Sequence, residues 1–181
     1  MLVGKKVKLR AIEREDQLTF WRYNNDLEIE LLSSNRPPAP VSRRETEGFF
    51  DKGIARSSPN HWFAMEADDR IIGACGLMHL DRLARTCELG IRIGERDYWG
   101  RGYGRDAVST LVDYGFRHLN MHRIWLTTLD LNERAIRAYA ASGFQEEARL
   151  RRHIWADGTL RDEVVMGLLR SDWGSCASRA D

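Results

Sequence analysis

Between Tyr98 and Val108 the chain reads Tyr-Trp-Gly-Arg-Gly-Tyr-Gly-Arg-Asp-Ala-Val, three alternating glycines set between two runs of opposite periodicity. Before them Cys87-Glu88-Leu89-Gly90-Ile91-Arg92-Ile93 alternates as a strand does. After them Ala107, Val108, Leu111, Val112, Gly115, Phe116 and Leu119 recur at helical spacing. The glycines therefore open a helix. The N–H groups of a first helical turn have no intrahelical partner and carry the positive end of the helix dipole, so glycines that let an anion reach the backbone make a phosphate site. Arg101 and Arg105 add positive charge. A Walker loop would need Gly-Lys-Ser/Thr at its end, and a dinucleotide fingerprint would need a different glycine spacing at the start of a βαβ unit; Gly100, Gly102 and Gly104 fit neither.

The chain's 181 residues suffice for one domain with a proper core, expected over 1–170, with 171–181 as a flexible tail. A 43% apolar and 30% charged composition excludes disordered and membrane classes, and a net charge of +1 without a basic run gives no general field for nucleic acid. Cys75, Cys87 and Cys176 are odd in number and widely spaced, which argues against a disulfide framework and a thiolate zinc site and for a cytoplasmic setting. The first residues hold no apolar run of signal-peptide or membrane-span length.

In chain order, Val7–Ile12 reads as a strand and Glu13–Asp26 as a helix that drifts into 27–32. The prolines between Ser33 and Pro40 demand a loop. Ser42 with Glu45 forms a capping box for a second helix with Phe49, Phe50 and Ile54 inward. Trp62–Glu66 and Ile71–Met78 form a hairpin around Asp68-Asp69-Arg70, and Glu88–Ile93 completes the meander. Beyond the glycine helix come a strand over 122–129, a short helix from Asn132 that ends at Gly143, and two strands, 144–155 and 160–169, joined by Ala156-Asp157-Gly158-Thr159. The order is βααβββαβαββ, an α+β class.

The glycine loop resembles motif A of the GNAT superfamily of acyl-CoA-dependent N-acyltransferases, Arg/Gln-x-x-Gly-x-Gly/Ala, with Gly102 and Gly104 in its glycine positions. Trp99 stands where that consensus has Arg or Gln, a departure shared with the branch that contains ribosomal-protein N-terminal acetyltransferases and spermidine acetyltransferases. Asn132-x-x-Ala135-x-x-x-Tyr139-x-x-x-Gly143-Phe144 resembles motif B of the same superfamily. The resemblance runs through almost the whole chain. It implies a mixed, mostly antiparallel sheet with helices on both faces and a splayed strand pair that holds acyl-CoA. The backbone from Gly100 to Arg105, with Trp99, Arg101 and Tyr103, would bind the pyrophosphate of acetyl-CoA. Ile91, Arg92 and Ile93 would pair with the pantetheine arm, Asn132 would contact its amide, and Tyr139 would point its hydroxyl at the sulfur.

A thiolate leaves when the tetrahedral intermediate collapses, so a donor at the sulfur is wanted, and Tyr139 is the expected general acid. An amine must be neutral to attack, so a base or water chain must take its proton. Glu88, on the strand before the loop, is the first choice, and His79, at the end of the preceding strand, the second. A backbone N–H near Ile93 would polarise the acyl oxygen. Each has a plain structural counterpart: Asn132 as a helix cap, Tyr139 as core, Glu88 as an ion-pair partner. His118 and His122 lie four apart at a helix end and form no metal motif, so no metal is expected; Cys75 and Cys87 read as small core residues.

The expected reaction is direct attack of a primary amine on acetyl-CoA in a ternary complex. The acceptor would be a protein or peptide N-terminus, a polyamine or a similar small amine. A catalytically silent acyl-CoA-binding module is the alternative, disfavoured because it needs neither Tyr139 nor Glu88. Acidic residues at 13, 15, 16, 26, 28 and 30 outnumber Arg14 and Arg22 in the first helical stretch and would suit a cationic amine, or simply form a solvated face. Members of the superfamily often pair, which makes a homodimer one outcome for this chain.

Overall fold

The computed structural model describes residues 1–33, 37–53 and 59–177. The side chains of Phe49 and Phe50, and Ile54 altogether, lie outside the described residues, as do 34–36 of the proline-containing loop.

Among the described residues the chain forms β1 (Leu2–Val3), β2 (Lys8–Arg10), α1 (Gln17–Asn24), α2 (Leu27–Ser33), α3 (Arg43–Gly53), β3 (His61–Ala67), β4 (Arg70–Asp81), β5 (Thr86–Ile93), α4 (Tyr103–Arg117), β6 (Arg123–Leu129), α5 (Glu133–Ala140), β7 (Gln145–Ala156), β8 (Thr159–Leu169) and α6 (Arg170–Ala177). The strands make one sheet in the order β1-β2-β3-β4-β5-β6-β8-β7. Every neighbour pair is antiparallel except β5 and β6, which run parallel. This is the mixed α+β sheet that the element order predicts.

Both tight hairpins form where the sequence places them. Asp68 and Asp69 (φ 50° and 54°) link β3 to β4, and Asp157 and Gly158 (φ 47° and 73°) link β7 to β8. Two successive positive φ angles match the twist of the flanking strands, and Asp and Gly tolerate them. The capping box also stands: Ser42 N–H donates to Glu45 Oε2 at 2.8 Å, and Glu45 N–H to Ser42 Oγ at 3.2 Å.

The main core lies between the sheet and α4. Ala107, Val108, Leu111, Val112 and Phe116, one stripe of the helix, are at most 1% exposed and pack with Ile72, Leu77, Ile124 and Leu126 from the sheet. Burying each large aliphatic side chain contributes about 1.5–3 kcal/mol, so this stripe fixes where the start of α4, and with it the glycine loop, must sit. On the other side of β5, α1 lays Tyr23 on the backbone just past that strand: a Cβ at Gly94 would fall 2.3 Å from the Tyr23 ring. That is the close approach which a glycine there permits.

Two expectations need correction. The segment from 171, expected as a frayed tail, continues as α6 to Ala177; Trp173 packs on Phe116 at 5.4 Å between ring centroids and under the Arg117 guanidinium at 5.2 Å. A single aromatic anchor outweighs the polar composition around it. The acidic stretch is a solvated face only in part: Glu13, Glu15 and Glu28 are exposed, while four of its carboxylates pair with arginines. Asp16 takes both terminal nitrogens of Arg10 at 2.7 and 3.0 Å, Asp26 and Glu28 hold Arg96, and Glu30 holds Arg92 at 2.8 Å. These arginines come from strands and loops up to 70 residues away, so a local charge count misses them.

Candidate active site

β5 and β6 pair only at their starts, Thr86 with Arg123, Cys87 with Ile124 and Glu88 with Trp125. Beyond Glu88 they part. The gap opens a cleft of about 690 Å³ whose walls are Leu89–Ile93 of β5 on one side and Thr127–Leu129 of β6 with α5 on the other. In a sheet the backbone N–H and C=O groups of adjacent strands satisfy one another, so a splay leaves a strand edge that an extended, amide-bearing chain can complete.

One end of the cleft is the glycine loop. Gly102 caps α4 with φ 87°, a left-handed conformation that glycine adopts without a steric cost. Gly100, Gly102, Gly104 and Arg105 line the cleft, and among the described residues, apart from its chain neighbours and own helix backbone, a Cβ built at Gly104 would meet Ile93 Cδ1 alone, at 3.4 Å. The first turn of a fifteen-residue helix thus faces open space between glycines. Trp99, at the position where the motif differs, donates its indole N–H to the Ile93 carbonyl at 2.8 Å and lies under the Arg134 guanidinium at 4.1 Å from the ring centroid. Its indole N–H is thus engaged at the end of β5, on the wall of the cleft.

Of the residues expected at the cofactor site, Ile91, Arg92, Ile93, Trp99, Gly100, Gly102, Gly104, Arg105, Asn132 and Tyr139 all line this cleft, and so does Glu88. Arg101 and Tyr103 do not. Arg101 donates to the Asp97 carbonyl at 3.0 Å, and Tyr103 stacks edge-on with Tyr98 at 4.9 Å beneath Lys6. Arg92 turns its guanidinium to Asn24 and Glu30.

Asn132 caps α5 by accepting from Ala135 N–H at 3.2 Å, and its amide nitrogen donates to the Leu32 carbonyl at 3.1 Å. The helix-cap role is therefore real, and the second bond ties α5 to α2 across the cleft. Tyr139 is 8% exposed on the wall of the cleft. Burial pushes its phenol up to about 12, so it holds its proton at neutral pH. The two carboxyl and imidazole candidates prove to be partners: His79 Nδ1 lies 2.7 Å from Glu88 Oε2. Glu88 is the sheltered one, with 18% of its side chain exposed against 71% for His79.

Sequence reasoning missed Arg134, Thr127 and Thr128, and Ile29 and Leu32 of α2, which also line the cleft. Arg134 sits two residues past the motif asparagine and could have been found from that spacing. The α2 contribution has no sequence signal. Cys75 is fully buried and its thiol is held well above the usual range by burial; burial pushes Cys87 up to about 12. Among the described residues no group of three His, Cys, Asp or Glu side chains is placed to hold a metal ion, and no helix is long and apolar enough to cross a membrane.

Comparison with known proteins gives one consistent result. Residues 6–145 match the family model described as the acetyltransferase (GNAT) domain. An uncharacterised N-acetyltransferase, p20, of Bacillus licheniformis is 29% identical over 95% of this chain and 97% of its own length. Spermidine N(1)-acetyltransferase of Vibrio cholerae is 28% identical over 94% of this chain and 97% of its own. Among solved structures, a spermidine N-acetyltransferase from Vibrio cholerae in complex with CoA and spermine superposes with a TM-score of 0.85 at 28% identity, over 94% of this chain and 99% of that one.

Proposed function

Because this chain belongs to the GNAT acetyltransferase family and is an acetyl-CoA-dependent N-acetyltransferase, we propose that its acceptor is a polyamine of the spermidine or spermine type. Acetyl-CoA lies in the gap between β5 and β6 with its pyrophosphate on the first turn of α4, and the amine enters beside Glu88. The observation that carries the acceptor assignment is the likeness, through nearly the whole of both chains, to an enzyme solved with CoA and spermine. The half-buried carboxylate of Glu88 at the mouth of the splay is the chemical group a cationic amine would meet there.

In this reading the reacting nitrogen arrives neutral while the polyamine's other nitrogens keep their charge, and Glu88 takes a proton from it as it bonds to the thioester carbon. The carbonyl oxygen gathers negative charge against backbone N–H groups near Ile93. When the C–S bond breaks, its electron pair leaves on sulfur, which takes the phenolic proton of Tyr139; water then returns a proton to Tyr139 and removes the one on Glu88. No donor other than a neutral phenol is needed at the sulfur, and the raised Tyr139 keeps that phenol protonated.

Thiol release from acetyl-CoA over a panel of spermidine, spermine, N-terminal peptides and aminoglycosides tests the assignment. The polyamines should give kcat/KM at least about tenfold above the other amines, which is ~1.4 kcal/mol of transition-state preference. Equal or higher values for a peptide would overturn it.

A further inference from the structure

We propose that His79 is a positioning residue for Glu88, holding one carboxylate oxygen so that the other meets the amine; this rests on the reading of Glu88 as the base. β4 and β5 pair residue by residue from Gly73–Ile93 to Met78–Glu88, but the next pair is Asp81–Thr86, so His79 and Leu80 together stand opposite Cys87 alone. That is a β-bulge, and bulges re-aim side chains beside sites. In a regular strand the residue after Met78 would face away from Glu88, since successive side chains alternate between the faces of a sheet. Here the backbone of His79 takes φ 50°, and the imidazole comes back onto Glu88 at 2.7 Å.

A positive φ at a histidine is unfavourable compared with one at glycine, and local strain of this kind persists only where surrounding contacts hold it. One such contact is the bond from His79 N–H to Asn60 Oδ1 at 3.2 Å. The device therefore spends backbone strain on a single side-chain contact. A carboxylate that lines the cleft is gripped from the solvent side by a ring whose own side chain is 71% exposed. With Nδ1–H donating to Oε2, the carboxylate cannot rotate freely, and Oε1 is the oxygen presented to the incoming nitrogen. Orientation of a base within hydrogen-bond reach of the proton it removes is what proximity catalysis requires.

Two substitutions separate positioning from a structural role. Glycine accepts φ 50° without strain, so His79→Gly should fold at least as well as the natural chain. Asparagine tolerates the same backbone region and places an N–H donor near where Nδ1 sits. With spermidine, or whichever amine of the panel reacts, His79→Gly is expected to lower kcat about tenfold to a hundredfold at unchanged acetyl-CoA affinity, and His79→Asn to recover most of that loss. Full kcat in His79→Gly, or His79→Asn as slow as His79→Gly, while Glu88→Gln is slow, would overturn the positioning role alone. Full kcat in Glu88→Gln would instead overturn the assignment of Glu88 as base, on which the proposal rests.

Discussion

Tyr139 illustrates how one residue carries both a packing and a chemical argument. Its ring packs 6.1 Å from that of Phe144 at the edge of the core, and the same burial that stabilises it disfavours the phenolate. A group whose pKa is raised to about 12 stays protonated as the solution is made basic, so it remains a donor through pH 10. Tyr139→Phe should lower kcat about 100-fold, ~2.7 kcal/mol, and leave acetyl-CoA affinity within about twofold. A wild-type profile that falls between pH 8 and 10 and loses that fall in Tyr139→Phe would contradict the assignment. Tyr139 and Asn132 were legible in the sequence because their spacing along one helix is local. The bond from Asn132 to the Leu32 carbonyl was not, since it joins residues 100 apart. The pairing of His79 with Glu88 escaped as well: each was singled out separately, but the bulge that unites them contains no glycine to announce it.

At the level of elements, the strand, glycine loop and helix from β5 through α4 were readable because three signals agree: alternation, glycine punctuation and a helical apolar stripe. The elements that sequence reading missed are short. β1 spans two residues and depends on pairing with β2, and its turn is held by Asp106 of α4, whose carboxylate accepts from the N–H groups of Lys5, Lys6 and Val7 at 2.7–3.0 Å. α2 is separated from α1 by an Asp26 that accepts from Ile29 N–H at 3.2 Å. Seven residues are too few for periodicity to register, and tertiary contacts decide such segments. The glycine loop makes its own prediction. Gly104 has an ordinary helical conformation and faces the cleft, so Gly104→Trp should fold with a melting temperature close to wild type while its indole fills the phosphate end of the gap. Calorimetric titration should show acetyl-CoA affinity reduced at least about 50-fold, or ~2.3 kcal/mol. Unchanged affinity in the folded variant would move the pyrophosphate away from α4.

Across the whole molecule the sheet brings two supply routes to one seam. α2, α4 and α5 line the β5–β6 gap, while arginines from β2, β5 and the segment after β5 tie acidic residues of the first helices to the sheet through Arg10–Asp16, Arg92–Glu30 and Arg96 with Asp26 and Glu28. The hairpins and the element order made this sheet legible; the links of Arg92 and Arg96 did not show, because each joins segments far apart in sequence, and Arg10–Asp16, six residues apart, depends on how the strand turns into the first helix. The proposed route also makes a kinetic claim. Cys75 and Cys87 are fully buried with thiols raised by burial, so neither is placed to carry an acyl group at the gap. We propose that acetyl-CoA and amine are bound together. The most direct test is a grid of initial velocities over acetyl-CoA and spermidine concentrations. Transfer within one ternary complex at the β5–β6 seam gives double-reciprocal lines that intersect, whereas parallel lines, the mark of an acetylated enzyme released from CoA before the amine binds, would contradict it.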